Sequence, residues 1–160
     1  MHYLIREEFW ALGDDFNILD ENKQPVFHID GAAFSWGDKL SFQDMRGNEL
    51  ACIDQKLLSF MPRYGIYRNG QLFAEVHKEF SWFSKQFSLD VPGPNDYTIE
   101  GSFWDHEYVF IRGGRNVAIV TRRLFSLTHT YSVEILEGED AVSILATCIV
   151  IDQVLHDERK

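Results

Sequence analysis

Between Ala141 and Ile151 the chain reads AVSILATCIVI, and its only polar side chains there are the small hydroxyls of Ser143 and Thr147. The run has no Gly, no Pro and no two-residue alternation, so it predicts a helix. Glu137, Glu139 and Asp140, just before it, place negative charge where a helix N-terminus favours it. A helix apolar on every side has to be surrounded. A bilayer-spanning helix needs roughly 20 apolar residues, and this run meets Asp152 and Gln153 first, so a transmembrane role is not expected. Ser143 and Thr147 can bond carbonyls of their own helix and so sit inside at little penalty. The surround must come from the rest of the chain.

The rest of the chain reads as strands. FNILDENKQPVFHID turns around Asp20 to Gln24, LSFQDMRGNELACID around Arg46 to Asn48, GIYRNGQLFAEV at Asn69 and Gly70, and YVFIRGGRNVAIV at Gly113 and Gly114. Asn and Gly accept positive φ, and the flanks alternate, as with Leu72, Ala74 and Val76, which makes each a β-hairpin. The chain also repeats itself. FSWGDKLSF, LSFMPRYGI and FSLTHTYSV share one grammar of aromatic or apolar corner, connector and strand start, and FSWFSKQFSL is a fourth copy with one extra residue. Counted from near Tyr3 to near Leu136, the candidate strands number about a dozen. So many antiparallel strands in one small domain must form a sandwich or close, since open edges invite aggregation. The helix selects closure: a mainly β fold, an antiparallel barrel of about twelve strands around a central hydrophobic C-terminal helix.

Composition sets the remaining limits. At 160 residues, 45% hydrophobic and 14% aromatic, the chain suits one domain, residues 1–160, and is too short for two of ordinary size. A net charge of -10 argues against nucleic acid as a partner, because phosphate binding needs a basic footprint. The opening MHYLIREEFWALGDD carries charges where a signal peptide is apolar, so a cytoplasmic location is expected. Cys52 and Cys148 match no metal or redox spacing and read as buried free thiols.

Motifs for catalysis are thin. WDHEYVF gathers Asp105, His106 and Glu107, yet on a strand His106 points away from its two acidic neighbours, so this reads as a solvated loop or hairpin edge. His156 reads as a residue following the helix, a favourable charge near its C-terminus. His28, His77 and His129 form no ligand spacing in sequence, so no metal site is expected. DENKQP begins like a calcium loop, but Pro25 stands at the sixth position, where that loop turns on Gly. There is no phosphate-binding glycine loop and no nucleophile elbow. Neither catalysis nor a cofactor is expected. Phe34, Trp36, Trp82, Phe83 and Phe103 read as barrel corners and core.

One asymmetry stands out. From Val109 to Val133 there are four arginines, Arg112, Arg115, Arg122 and Arg123, and no Asp or Glu, which leaves 11 positive and 25 negative side chains elsewhere, a net of -14. As a site they would form an anion or headgroup contact on the barrel rim. As structure they would pair with the surplus carboxylates, and alternation separates Arg122 from Arg123.

FWALGDDFNILDENKQPVFHIDG, GDKLSFQDMRGNELACIDQKLLSFMPRYGIY and the closing PGPNDYTIEGSFWDHEYVFI with VIDQVLHD together resemble the LURP-one-related family over nearly the whole chain. The resemblance implies the tubby-like C-terminal domain fold, related to the phospholipid scramblases: a twelve-stranded antiparallel barrel threaded by a hydrophobic helix. It implies less about activity. The tubby branch binds phosphoinositide headgroups through basic residues, none of which carries over to a position here. The expectation is a non-enzymatic binding or scaffold domain with a protein partner. The alternative is an anionic lipid headgroup partner bound peripherally at a membrane.

Overall fold

The computed structural model describes residues 1–6, 15–31, 39–55, 63–79, 86–90, 96–122 and 130–158. Among these residues, twelve strands precede one helix: β1 (His2–Arg6), β2 (Phe16–Asp20), β3 (Pro25–Asp30), β4 (Lys39–Asp44), β5 (Glu49–Gln55), β6 (Arg63–Arg68), β7 (Gln71–Glu79), β8 (Gln86–Asp90), β9 (Tyr97–Ser102), β10 (Glu107–Arg112), β11 (Arg115–Arg122), β12 (Thr130–Ile135) and α1 (Ala141–Glu158). Each strand pairs antiparallel with its sequence neighbours, and β1 closes the barrel on β12 from His2↔Glu134 to Arg6↔Thr130. Closure leaves no edge strand to be capped.

The turns form for the reasons their residues suggest. At the β2–β3 turn, Asp20 Oδ1 accepts the amide protons of Asn22 and Gln24, each at 2.9 Å, and Lys23 takes a φ of 63°. Asp44 repeats this at the β4–β5 turn, accepting from Arg46 and Asn48, with Gly47 at positive φ. The calcium-like stretch is therefore a side-chain-closed hairpin turn. Asn69–Gly70 and Gly113–Gly114 both hold positive φ, the signature of two-residue hairpin turns. The corners containing Phe34, Trp36, Trp82 and Phe83, and His129, lie outside the described residues.

Alternation along each strand sends one set of side chains inward, among them Phe42, Ile53, Ile66, Leu89, Phe110 and Val133. They enclose α1, in which every side chain from Val142 to Leu155 is buried. The helix is longer than the apolar run: its 18 residues span about 27 Å and carry it past Asp152 and Gln153, both buried, to Glu158. His156 thus lies within the helix and not beyond it. Among the described residues, no helix is long and apolar enough to cross a membrane.

Asp140 starts the helix. Its backbone carbonyl accepts from Ile144 N, while its carboxylate accepts from Ser143 Oγ at 2.8 Å and from Arg68 Nη1 of β6 at 2.6 Å. Ser143 therefore bonds a capping carboxylate, where a helix carbonyl was expected; Thr147 does bond one, Ser143 O at 2.7 Å. Cys148 is fully buried, whereas Cys52 is only half-buried because it lies on the outer side of β5, next to inward-facing Ala51 and Ile53.

Candidate functional site

A dense polar cluster among the described residues starts at the β9–β10 turn. Gly101 holds a φ of 140°, and a Cβ there would lie 2.6 Å from Tyr108 Cα and clash with the Glu107 carbonyl oxygen, so only glycine lets β9 approach β10 this closely. The chain then turns through Phe103 to His106. Phe103 packs edge-on to Phe87 and tilted against Tyr108, His106 N donates to Phe103 O, and His106 takes a φ of 52°. That left-handed residue swings the imidazole inward, where it is 3% exposed. The segment is a hairpin turn with Asp105 and Glu107 exposed, as the reading of a solvated loop or hairpin edge expected; His106 alone departs from it, because strand alternation does not hold across a turn.

Inside, His106 Nε2 lies 2.7 Å from Asp152 Oδ1 on α1, and Arg122 Nη2 of β11 lies 3.0 Å from His106 Nδ1. A guanidinium can only donate, so Nδ1 accepts and the ring proton sits on Nε2, donated to Asp152. Tyr131 of β12 donates its hydroxyl to Asp152 Oδ2 at 2.5 Å and stacks on the imidazole at 4.3 Å between ring centroids. A turn, two strands and the helix thus meet in one relay from Arg122 through His106 to Asp152 and Tyr131. Burial, followed by the Asp152 charge, pushes the Tyr131 hydroxyl well above its ordinary range.

Two neighbours complete the cluster. The Tyr108 hydroxyl is close enough to the Cys148 thiol to feel it electrostatically but makes no well-formed hydrogen bond. Gln153 Oε1 is likewise buried without a hydrogen-bond partner among the described residues. Desolvation drives the Cys148 thiol far upward, which keeps it protonated and unreactive.

An Asp that orients a His is the support half of a nucleophilic triad. Here the ring nitrogen that would face a nucleophile already faces Arg122, and the ring is sealed from solvent. The geometry is that of a buried latch between helix and wall.

The predicted arginines separate. Arg112 closes a clasp at one barrel end: its Nη2 is 2.5 Å from Glu139 Oε1, its Nη1 donates to Tyr97 Oη at 3.2 Å, and the Tyr97 hydroxyl donates to Glu139 Oε2 at 2.7 Å. The clasp ties β9 and β10 to the linker entering α1, and burial then Glu139 push the Tyr97 hydroxyl upward. Arg115 is the register partner of Arg112 across the glycine turn and is exposed. Arg122 lies seven residues further along β11, about 23 Å away by strand rise, in the buried relay. The structure brings Arg112 and Arg115 together and sets Arg122 apart; Arg123 lies outside the described residues.

Residues 1–152 match the family model described as LURP-one-related. The chain belongs to the LURP-one-related family. The matched segment includes every residue of the relay, Asp152 being its last. This family member is similar to "Uncharacterized protein YxjI" of Bacillus subtilis, with 32% identity over 155 residues covering 96% of this chain and 93% of the relative. A solved X-ray structure of an Arabidopsis thaliana protein superposes with a TM-score of 0.69 over 97% of this chain and 90% of that one. At 16% identity, that likeness shows a shared fold.

Proposed function

We propose that this LURP-one-related protein is a non-enzymatic binding or scaffold module that engages a protein partner through the outer wall of its barrel. The observation carrying this reading is the full burial of α1: the lumen that a ligand-carrying barrel would offer is occupied by the protein's own helix. The relay of Arg122, His106, Asp152 and Tyr131 supports it, since these groups face one another and not a cleft. The net charge of -10 disfavours nucleic acid as a partner. Native mass spectrometry of the purified protein tests the reading: the apo mass is expected, and a stoichiometric internal lipid or metabolite would overturn it.

A second reading is favoured by the β10–β11 tip, where exposed Arg115 sits beside Arg112 and the exposed Gly113 and Gly114. In that reading the tip binds a polyphosphorylated lipid headgroup, as the resemblance to tubby-like and scramblase-related barrels suggests, and the protein is cytoplasmic and peripheral to a membrane. Arg115 is the residue to substitute, because Arg112 is held by Glu139. Vesicles bearing polyphosphorylated headgroups should sediment the protein at low salt, less at high salt, and less for Arg115→Ala. No sedimentation of wild type at low salt ends this reading.

A further inference from the structure

The outer wall holds an arrangement that neither the relay nor the arginine clasp uses. On β7, Ala74 and Val76 point into the barrel, so Glu75 and His77 point out. On β8, Phe87 and Leu89 point in, so Ser88 and Asp90 point out. The register sets Glu75 directly across from Asp90 and His77 across from Ser88. Two carboxylates therefore face one another on the same side of neighbouring strands, a pairing that repels. His77 Nε2 lies 3.3 Å from Glu75 Oε2, and one ligand atom from each of Glu75, His77 and Asp90 falls within 4.8 Å of the others. The sequence hides this set, because Asp90 joins the other two only through strand pairing.

Local structure leaves room beside the set. A cleft of about 110 Å³, lined by Leu72, Phe73, Ala74, Glu75 and Asp90, opens next to the two carboxylates. On the other flank, the residue of β6 opposite Glu75 is Gly65, which is covered by the Tyr67 ring and Leu72. Glu75 and His77 are partly withdrawn from water, with side chains 17% and 24% exposed.

We propose that Glu75, His77 and Asp90 form a binding site for a divalent first-row transition-metal ion of the zinc class. An imidazole nitrogen favours such ions over magnesium and calcium, which take oxygen ligands. Two carboxylates balance the double positive charge and turn the repulsion between them into shared attraction. Ligand atoms around such an ion sit about 2.0–2.2 Å from it, so the three ligand atoms, now within 4.8 Å of one another, must draw closer together to share one. Three protein ligands leave further positions to water or to a side chain from a partner, the open form of such a site. Arg63 stands opposite His77 in the β6–β7 register.

The proposal goes beyond the binding-module reading and does not rest on it. Its test is titration of chelator-treated full chain with zinc chloride in a calorimeter, with cobalt chloride as a spectroscopic probe. One ion per chain is expected, with cobalt absorption showing a nitrogen ligand. His77→Ala and Asp90→Asn should each weaken binding at least about tenfold at unchanged melting temperature. His28→Ala, which removes the histidine 3.4 Å from Asp15 on another part of the barrel, should leave binding as it was. No saturable binding of either metal, or binding undiminished in the His77→Ala/Asp90→Asn double variant, overturns the proposal.

Discussion

Replacing Asp152 with Ala removes the acceptor that holds both His106 Nε2–H and the Tyr131 hydroxyl, at 2.7 and 2.5 Å. Both donors stay buried, because His106 is 3% and Tyr131 0% exposed. Each stranded donor costs about 1–3 kcal/mol, so the two together cost about 4 kcal/mol. For a chain of this length each kcal/mol moves the melting temperature by about 2–4 °C, giving a fall of roughly 8–16 °C. Asp152→Asn keeps one acceptor and should lose about half as much. Urea denaturation of wild type, Asp152→Ala, Tyr131→Phe and the double variant forms a cycle. Coupling of about 0.5–3 kcal/mol between the two positions is expected. An Asp152→Ala variant within about 1 kcal/mol of wild type, or a strictly additive cycle, would refute the claim that this carboxylate latches helix to wall.

Ile144→Asp or Ile149→Asp puts an unpaired charge where the native side chain is fully buried, and should cost several kcal/mol or prevent folding. Thermal melts of both check this, and near-wild-type melting would contradict an enclosed helix. At high pH, Tyr108 and Tyr131 keep their protons in the folded chain above the ordinary value of 10.0, while the unfolded chain releases them. Their stabilising contribution is therefore complete below pH 10 and lost above it, at up to about 1.4 kcal/mol per pH unit for each tyrosine. Denaturation at stepped alkaline pH should show this slope, and Tyr131→Phe should make it shallower.

Much of the fold was written locally. The apolar run of α1 and the turn residues Asp20, Gly47, Asn69, Gly70, Gly113 and Gly114 each act within a few positions, and the structure uses them as their chemistry suggests. The relay was not legible, because His106 and Asp152 are 46 residues apart and meet only when the sheet closes around the helix. Two local cues pointed the wrong way. Asp152 looked like the end of the buried stretch, whereas a carboxylate inside that helix signals a buried partner to be found. His106 looked like a strand residue, whereas Gly101 and the positive φ at His106 mark a tight turn. Of the four arginines, charge counting found the region but not the partners, since Glu139 and His106 reach Arg112 and Arg122 through tertiary contacts.

The enclosed helix is tested most directly by the thiol of Cys148, which is 0% exposed at the middle of α1. In a Cys52→Ser background it is the only thiol in the chain, so a thiol-specific reagent reports it alone. The account predicts no labelling under native conditions, and labelling across a urea series whose opening free energy equals that of global unfolding. Labelling of Cys148 at a rate insensitive to urea, with the circular dichroism of the folded barrel intact, would mean that the helix is open to solvent and would contradict the account.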